Sequence, residues 1–341
     1  MNKDDWHMEN ELIIESKDFI TDCQELERGI ELKPGLFNPY IRLATSDNTR
    51  KAYQSDIRHY ETSGGKLPAT SDMIANYLYQ YADKLNPRTL ARRLIAIKHW
   101  HNYQGFSDPT LHPAIQKTMT GILRAHGKPK EKARALLPEE LARIHVYLNT
   151  EETLAAARDD ALLQIGFFAA LRRSELVAIE YKHIQWGEQG VEILLPSSKT
   201  DQQSQGQFCA IPYGNELLCP IKTLETWLEY SGIKQGPIFR RIRIGERLGD
   251  DALTPLTVNH ILQLRAKQAG LEDIQSLSSH SLRRGLATSA ARAGAPLQAI
   301  MRSGRWKQTN TVMEYIEASE RFAENAASSV LQTMQVNKPL K

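Results

Sequence analysis

Arg172 and Arg283 are the two residues around which a phosphoryl-transfer site can be built. A guanidinium presents a planar fork that matches two phosphate oxygens at once, and two forks can hold the extra charge of a five-coordinate phosphorus. His280 precedes Arg283 by one helical turn, so on a helix a proton-transfer group and a cation share one face. Lys199 falls in the polar stretch Ser197 to Gly206, between two β-prone runs. From a loop tip there, its ammonium can donate a proton to a leaving oxygen. Tyr315 supplies a phenolic nucleophile that conserves a phosphoester bond as a covalent intermediate without metal or nucleotide. Each residue also has a plainer reading: a structural histidine, a solvated helix end, a surface lysine, a half-buried core tyrosine.

Such groups need elements to hold them. Thr45-Ser46-Asp47-Asn48-Thr49 offers N-caps ahead of a stretch carrying Ala52, Tyr53, Ile57 and Tyr60 at helical spacing. Thr70-Ser71-Asp72 opens a second helix with Ile74, Tyr77, Leu78 and Tyr81. Asn86-Pro87 opens a third, with Leu90, Leu94, Ile97 and Trp100 on one face and Arg88, Arg92 and Arg93 off it. Pro113 to His126 carries Ile115, Met119, Ile122 and Leu123. These four predict a helical domain over 41–126. Gly127 to Arg134 has no apolar periodicity and reads as a basic linker, 127–138. A second helical series starts at Leu137-Pro138 and runs through Leu162, Ile165, Phe168 and Leu176. Gly190–Leu195 and Gln207–Pro212 are predicted strands, after which helices resume at about 220–231, 256–269, 281–293 and 296–303. The fold class is mainly α with a small β-sheet: a helical domain, then a mixed α/β domain over 139–335.

Composition narrows the function. A chain of 341 residues is long for one domain, and 41% hydrophobic with 24% charged residues is ordinary for a globular protein. No apolar run is long enough to span a bilayer, and the acidic amino terminus lacks the layout of a signal peptide, so a cytoplasmic protein without a membrane partner is expected. Cys23, Cys209 and Cys219 are too few and scattered for a disulfide framework or thiolate metal site. Net charge is only +3, but it is unevenly placed. Residues 1–40 form an acidic extension with four Lys/Arg against ten Asp/Glu, whereas residues 84–134 hold eleven against two. That basic block is either a polyanion footprint, with Arg88, Arg92, Arg93, Lys98, Lys128, Lys130, Lys132 and Arg134 as candidate contacts, or a solvated helix face.

Four segments, in order, carry a resemblance. They are Ala170-Leu171-Arg172-Arg173-Ser174-Glu175-Leu176, Ser198-Lys199-Thr200, His280-Ser281-Leu282-Arg283-Arg284, and Gly304-Arg305-Trp306 followed by Val312-Met313-Glu314-Tyr315-Ile316. Together they resemble the boxes of a tyrosine recombinase of the phage integrase family, and the similarity extends over nearly all the chain after residue 40. The resemblance implies a site-specific DNA recombinase with a helical core-binding domain, a basic linker and a catalytic domain ending in a tail helix. It implies that Arg172 and Arg283 hold the scissile phosphate and that Glu175 orients them. Lys199 would be the general acid and His280 would assist proton transfer. Trp306 would hydrogen-bond the phosphate from a position where many members have histidine and some, Cre among them, have tryptophan. Tyr315 would attack, leaving a 3′-phosphotyrosyl link. Ser279 and Arg284 depart from the glycine and histidine common at those positions, and Arg173 adds a cation beside Arg172.

The resemblance further implies double-stranded DNA with inverted half-sites, strand exchange through a Holliday junction, and no metal or cofactor. A homotetramer would assemble by exchange of the C-terminal helix, for which Phe322, Ala326, Val330 and Met334 form an apolar ridge. Association with the nucleoid would accompany DNA binding. Two rivals share parts of this pattern: supercoil relaxation of the type IB topoisomerase kind, and a catalytically silent DNA-binding regulator of the same fold.

Overall fold

The computed structural model describes residues 45–129, 131–196 and 206–319, with 327, 330 and 331. They divide into two units between Lys130 and Glu131.

In the first unit, Ser46 caps α1 (Asp47–Thr62) by accepting from the Thr49 N–H at 3.3 Å. Thr70 caps α2 (Ser71–Tyr81) in the same way. Asn86 caps α3 (Pro87–Gln104), whose first-turn proline has no N–H to satisfy. A short 3-10 turn at Pro109–Leu111 leads to α4 (Pro113–His126). Tyr60, Ile74, Leu78, Leu90, Ile97 and Ile115 form the core, one or two from each helix. Two expectations are corrected here. Of the four apolar residues expected along α4, Ile115, Met119 and Ile122 are buried as a set, whereas Leu123 is 46% exposed. Arg93 lies on the buried face of α3, between Leu90 and Ile97, because Asp56 of α1 is buried opposite it.

The second unit runs α5 (Pro138–Leu148), α6 (Leu154–Phe168), α7 (Arg173–Val177), β1 (Ile184–Gly187), β2 (Gly190–Leu195), β3 (Gln207–Pro212) and α8 (Pro220–Ser231). It continues with β4 (Arg240–Arg243), β5 (Arg247–Ala252), α9 (Pro255–Gln268), α10 (Ser279–Arg292), α11 (Leu297–Gly304) and α12 (Thr309–Ser319). The three-stranded sheet is antiparallel in the order β1-β2-β3, and β4 and β5 form a separate hairpin. Helix α6 is the axis of this unit: nearly every side chain from Ala156 to Phe167 is buried, as a helix surrounded by neighbours requires. α5, α8 and α10 pack on it. Its Asp159 is inside, held by Arg158 at 2.6 Å and Arg265 at 2.8 Å, which removes the cost of an unpaired buried charge.

The architecture is thus mainly helical, with one helical unit and one unit carrying small sheets. No described helix is long and apolar enough to cross a membrane. Cys209 and Cys219 are free, buried thiols, whereas Cys23 lies outside the described residues. Of the expected tail ridge, Phe322, Ala326 and Met334 also lie outside them, and Val330 is 58% exposed.

Candidate active site

A turn at the end of α6 begins the site. Ala170 adopts a left-handed conformation (φ 46°), reversing the chain so that Arg172 becomes the N-cap of α7. Glu175, on the first turn of α7, accepts the Arg172 backbone N–H at 2.9 Å and its guanidinium Nη1 at 2.5 Å. Glu175 is buried, whereas about a fifth of the Arg172 side chain remains exposed (21%). The acid therefore fixes one edge of the guanidinium and leaves Arg172 open on another. Arg173 is exposed, so it does not share this pocket.

Helix α10 brings the second arginine. Its N-cap Ser278 accepts the His280 N–H at 3.2 Å, and Gly285 passes so near Phe167 and the Leu136 carbonyl that a Cβ would collide with both. That close approach seats α10 against α6 and delivers Arg283 to the Ala170 turn. Arg283 is 96% buried by its 4% relative exposure, and its Nη1 donates to the Ala170 carbonyl. Its Nη2 has no acceptor among the described residues. Burial, then the neighbouring Arg172 and Arg305 charges, lower the Arg283 pKa to about 10. His280 stands exposed on the first turn of the same helix.

Trp306 forms the floor. Gly304 ends α11 with no room for a Cβ beneath the Trp306 ring, so the indole folds back across the helix end. The Arg283 guanidinium carbon sits 4.3 Å from the Trp306 ring centre. Tyr315, on α12, meets the same indole edge-to-face at 6.0 Å and 65°. Arg284 lies 5.1 Å from the Tyr315 ring centre and donates to the Ala133 carbonyl of the preceding segment. Five of the seven predicted catalytic residues, Arg172, Glu175, Arg283, Trp306 and Tyr315, are thus linked through α6, α7, α10, α11 and α12.

Lys199 lies outside the described residues. The strands on either side of it pair as expected, with Leu195 opposite Gln207, and β3 is tied to the same turn by a Cys209 Sγ contact to the Ala169 carbonyl at 3.6 Å.

One residue was missed. Arg305 has a left-handed backbone (φ 54°) and a side chain only 7% exposed, 3.5 Å from Glu175. Its type resembles any surface cation in the sequence, and its sole signal is its place between Gly304 and Trp306.

The predicted DNA contacts separate into groups. Arg88 and Lys128 are exposed, whereas Lys130 lies outside the described residues. Arg92 grips Asp56 at 2.7 and 2.8 Å with about half of its side chain exposed, and Lys98 reaches Asp108 at 3.5 Å. Lys132 pairs with Glu314 at 2.5 Å. Arg93 is a correction: it is buried, donating to the Tyr77 hydroxyl at 2.7 Å and to His59 Nδ1 at 2.8 Å, so its charge serves the fold. Arg134 is partly exposed and held within its own unit. It donates to Glu140 at 2.8 Å and to the Glu272 carbonyl at 3.0 Å, clasping the start of its own unit.

The sequence pattern of the phage integrase family matches residues 134–321, and that of the phage integrase N-terminal SAM-like domain matches residues 37–104. The chain is 36% identical over 295 residues to an integrase/recombinase XerD homolog of Selenomonas ruminantium, spanning 84% of this chain and 86% of that protein. It is 26% identical over 267 residues to the recombinase Cre of Escherichia phage P1, spanning 73% and 76%. Among solved structures it is similar to XerH site-specific recombinase bound to a palindromic difH substrate after cleavage. That similarity has a TM-score of 0.60 at 18% identity and spans 82% of this chain and 78% of that one. The chain belongs to the phage integrase family. Within that family it is a tyrosine recombinase, an enzyme of site-specific recombination that breaks and rejoins DNA strands.

Proposed function

We propose that Tyr315 attacks the scissile phosphate, forming a bond from its phenolic oxygen to phosphorus while the bond to the 5′ oxygen breaks. Lys199 gives its proton to that leaving oxygen while His280 assists by taking up the phenolic proton of Tyr315, and the products are a 3′-phosphotyrosyl link and a free 5′ hydroxyl. Religation runs the same steps in reverse with an incoming 5′ hydroxyl, so no external energy source is needed. Arg172 and Arg283 hold the non-bridging oxygens and Glu175 aims Arg172. Trp306, at the Cre-like position, supports Arg283 from below and offers its indole N–H.

The observation that carries this reading is the Nη2 of the buried Arg283, which has no partner among the described residues and lies beside Arg172 and above Trp306. A buried donor without a partner is costly in the free protein, and an anion that accepts from it removes that cost.

Residues 41–126 bind DNA together with the catalytic unit at 139–335, joined by the basic linker 127–138. The target is a duplex with inverted half-sites, and two such sites meet in a homotetramer that exchanges C-terminal helices and passes through a Holliday junction. The palindromic substrate of the similar XerH structure supports the half-site arrangement. The enzyme acts in the cytoplasm, on the nucleoid when bound. A denaturing gel of the protein on nicked duplex, without metal or nucleotide, tests the chemistry. A covalent adduct is expected with wild type and none with Tyr315→Phe; an adduct with both would exclude Tyr315 as nucleophile.

A further inference from the structure

Arg305 occupies a position that is unfavourable for it unless its side chain is used. It ends α11 in a left-handed conformation (φ 54°), where glycine is the usual residue because it has no Cβ to clash. Capping the helix would therefore be served at least as well by glycine. What glycine lacks is the guanidinium, and here it is buried and directed inward. Nη2 lies 3.5 Å from Glu175 Oε2 and donates to the carbonyls of Ala169 at 3.2 Å and Ala170 at 3.4 Å. Nη1 donates to Ser303 at 3.1 Å.

These partners are the ones the two phosphate-holding arginines use. Glu175 is the acid that binds Arg172, and the Ala170 carbonyl accepts from Arg283. Arg305 therefore reaches both supports from one rigid planar group, whereas among the described residues neither Arg172 nor Arg283 hydrogen-bonds to the other's support. It also leaves three guanidiniums around a single carboxylate, an excess of positive charge in a largely desolvated place. A phosphate placed among them offsets that excess.

We propose that Arg305 is a third arginine of the active site, a positioning residue that sets the spacing of the Arg172 and Arg283 forks through Glu175 and the Ala169–Ala170 turn. This rests on the reading of those forks as the phosphate holders. It assigns Arg305 no direct contact with the scissile group.

The test uses the full-length protein with Arg305→Asn and Arg305→Gly, both of which accept a left-handed backbone, and Arg305→Lys, which keeps the charge but not the planar fork. Single-turnover formation of the covalent adduct is measured on a nicked duplex chosen for specific binding. A second duplex carries a neutral methylphosphonate at the scissile linkage, where less negative charge has to be held. The Asn and Gly variants are expected to bind the duplex as wild type does and to form adduct on the order of 100-fold more slowly, the scale of loss for an ångström-sized misplacement. Arg305→Lys should fall between. On the methylphosphonate, the variant-to-wild-type ratio should return toward one. Wild-type rates in the Asn and Gly variants would overturn the proposal, as would slowing that is equal on both duplexes, which marks a fold defect. A wild type that forms no adduct on the ordinary duplex would instead overturn the underlying cleavage reading.

Discussion

The central carbon of the Arg283 guanidinium stands over Trp306 at 4.3 Å from the ring centre, and the same indole makes an edge-to-face contact with Tyr315. One aromatic side chain thus touches both Arg283, the proposed phosphate holder, and Tyr315, the proposed nucleophile. Trp306→Ala should slow covalent adduct formation by roughly 30-fold, the equivalent of a desolvated cation–π contact of about 2 kcal/mol. Trp306→Phe, which keeps a ring face, should lose less. Equal losses in single-turnover assays would show that the indole N–H, and not the stack, is what matters.

Gly304 gives a sharper steric test. A methyl at this position would enter the Trp306 ring, and the ring is held by Arg283 on one side and Tyr315 at its edge. Gly304→Ala is expected to lower stability by about 1–3 kcal/mol, the usual cost of overpacking, and to depress cleavage as well. Thermal melting and adduct formation should fall together. A variant with wild-type melting and wild-type cleavage would show that the indole has another seat.

In the first unit, Asp56 is 1% exposed and holds both Arg92 and Arg93. Asp56→Ala leaves the buried Arg93 without its counter-charge, so a loss of about 3–5 kcal/mol is expected in urea unfolding of the full chain. Arg92→Ala should cost much less because its side chain is half exposed. If the two variants unfold alike, the clasp is not what stabilises the helical unit.

His59 is expected to make that unit sensitive to acid. Its Nδ1 accepts from Arg93 at 2.8 Å and is also 3.1 Å from the Tyr77 hydroxyl, with Ser63 Oγ at 3.4 Å. Burial first, and the Arg93 charge second, lower its pKa below 6.5, while Asp56 opposes them. The unfolded chain therefore binds the proton more readily than the folded one. The His59 contribution is complete above pH 6.5 and declines as pH falls through that value toward the lowered folded pKa. Melting temperature followed from pH 8 to 5 should drop more for wild type than for His59→Gln. Parallel curves would assign the acid sensitivity to other groups.

Much of this arrangement was legible in the sequence because the signals are local. Ser46, Thr70 and Asn86 announce their helices by side chains that accept from the next turn, and the runs 190–195 and 207–212 have the residue types of paired strands. The boxes around Arg172, Arg283, Trp306 and Tyr315 converge because α6, α7 and α10 to α12 pack as their apolar faces suggest. What escaped has no local signal. β4 and β5 consist largely of Arg, Gly and Asp, so no apolar alternation marks them. β1 is four residues long with three exposed positions. Arg93 resembles a surface cation until Asp56, from another helix, is known to face it. Arg305 is invisible for a different reason: its role depends on a left-handed backbone that type and spacing do not encode.

The ion pairs of the basic stretch also bear on how the enzyme responds to salt. Eleven Lys and Arg between residues 84 and 134 would suggest a steep polyelectrolyte response, since each DNA phosphate neutralised releases about 0.9 of a condensed cation. But Arg92 and Arg93 are held by Asp56, Lys98 by Asp108, Lys132 by Glu314 and Arg134 by Glu140. Lys84, Arg88, Lys117, Arg124 and Lys128 remain as exposed cations without an ion pair among the described residues, and Lys130 lies outside them. If this stretch lies on DNA as proposed, attraction to bulk duplex should be weaker than its count of cations implies, and the protein should leave the wrong sequence more readily while it searches for the right one.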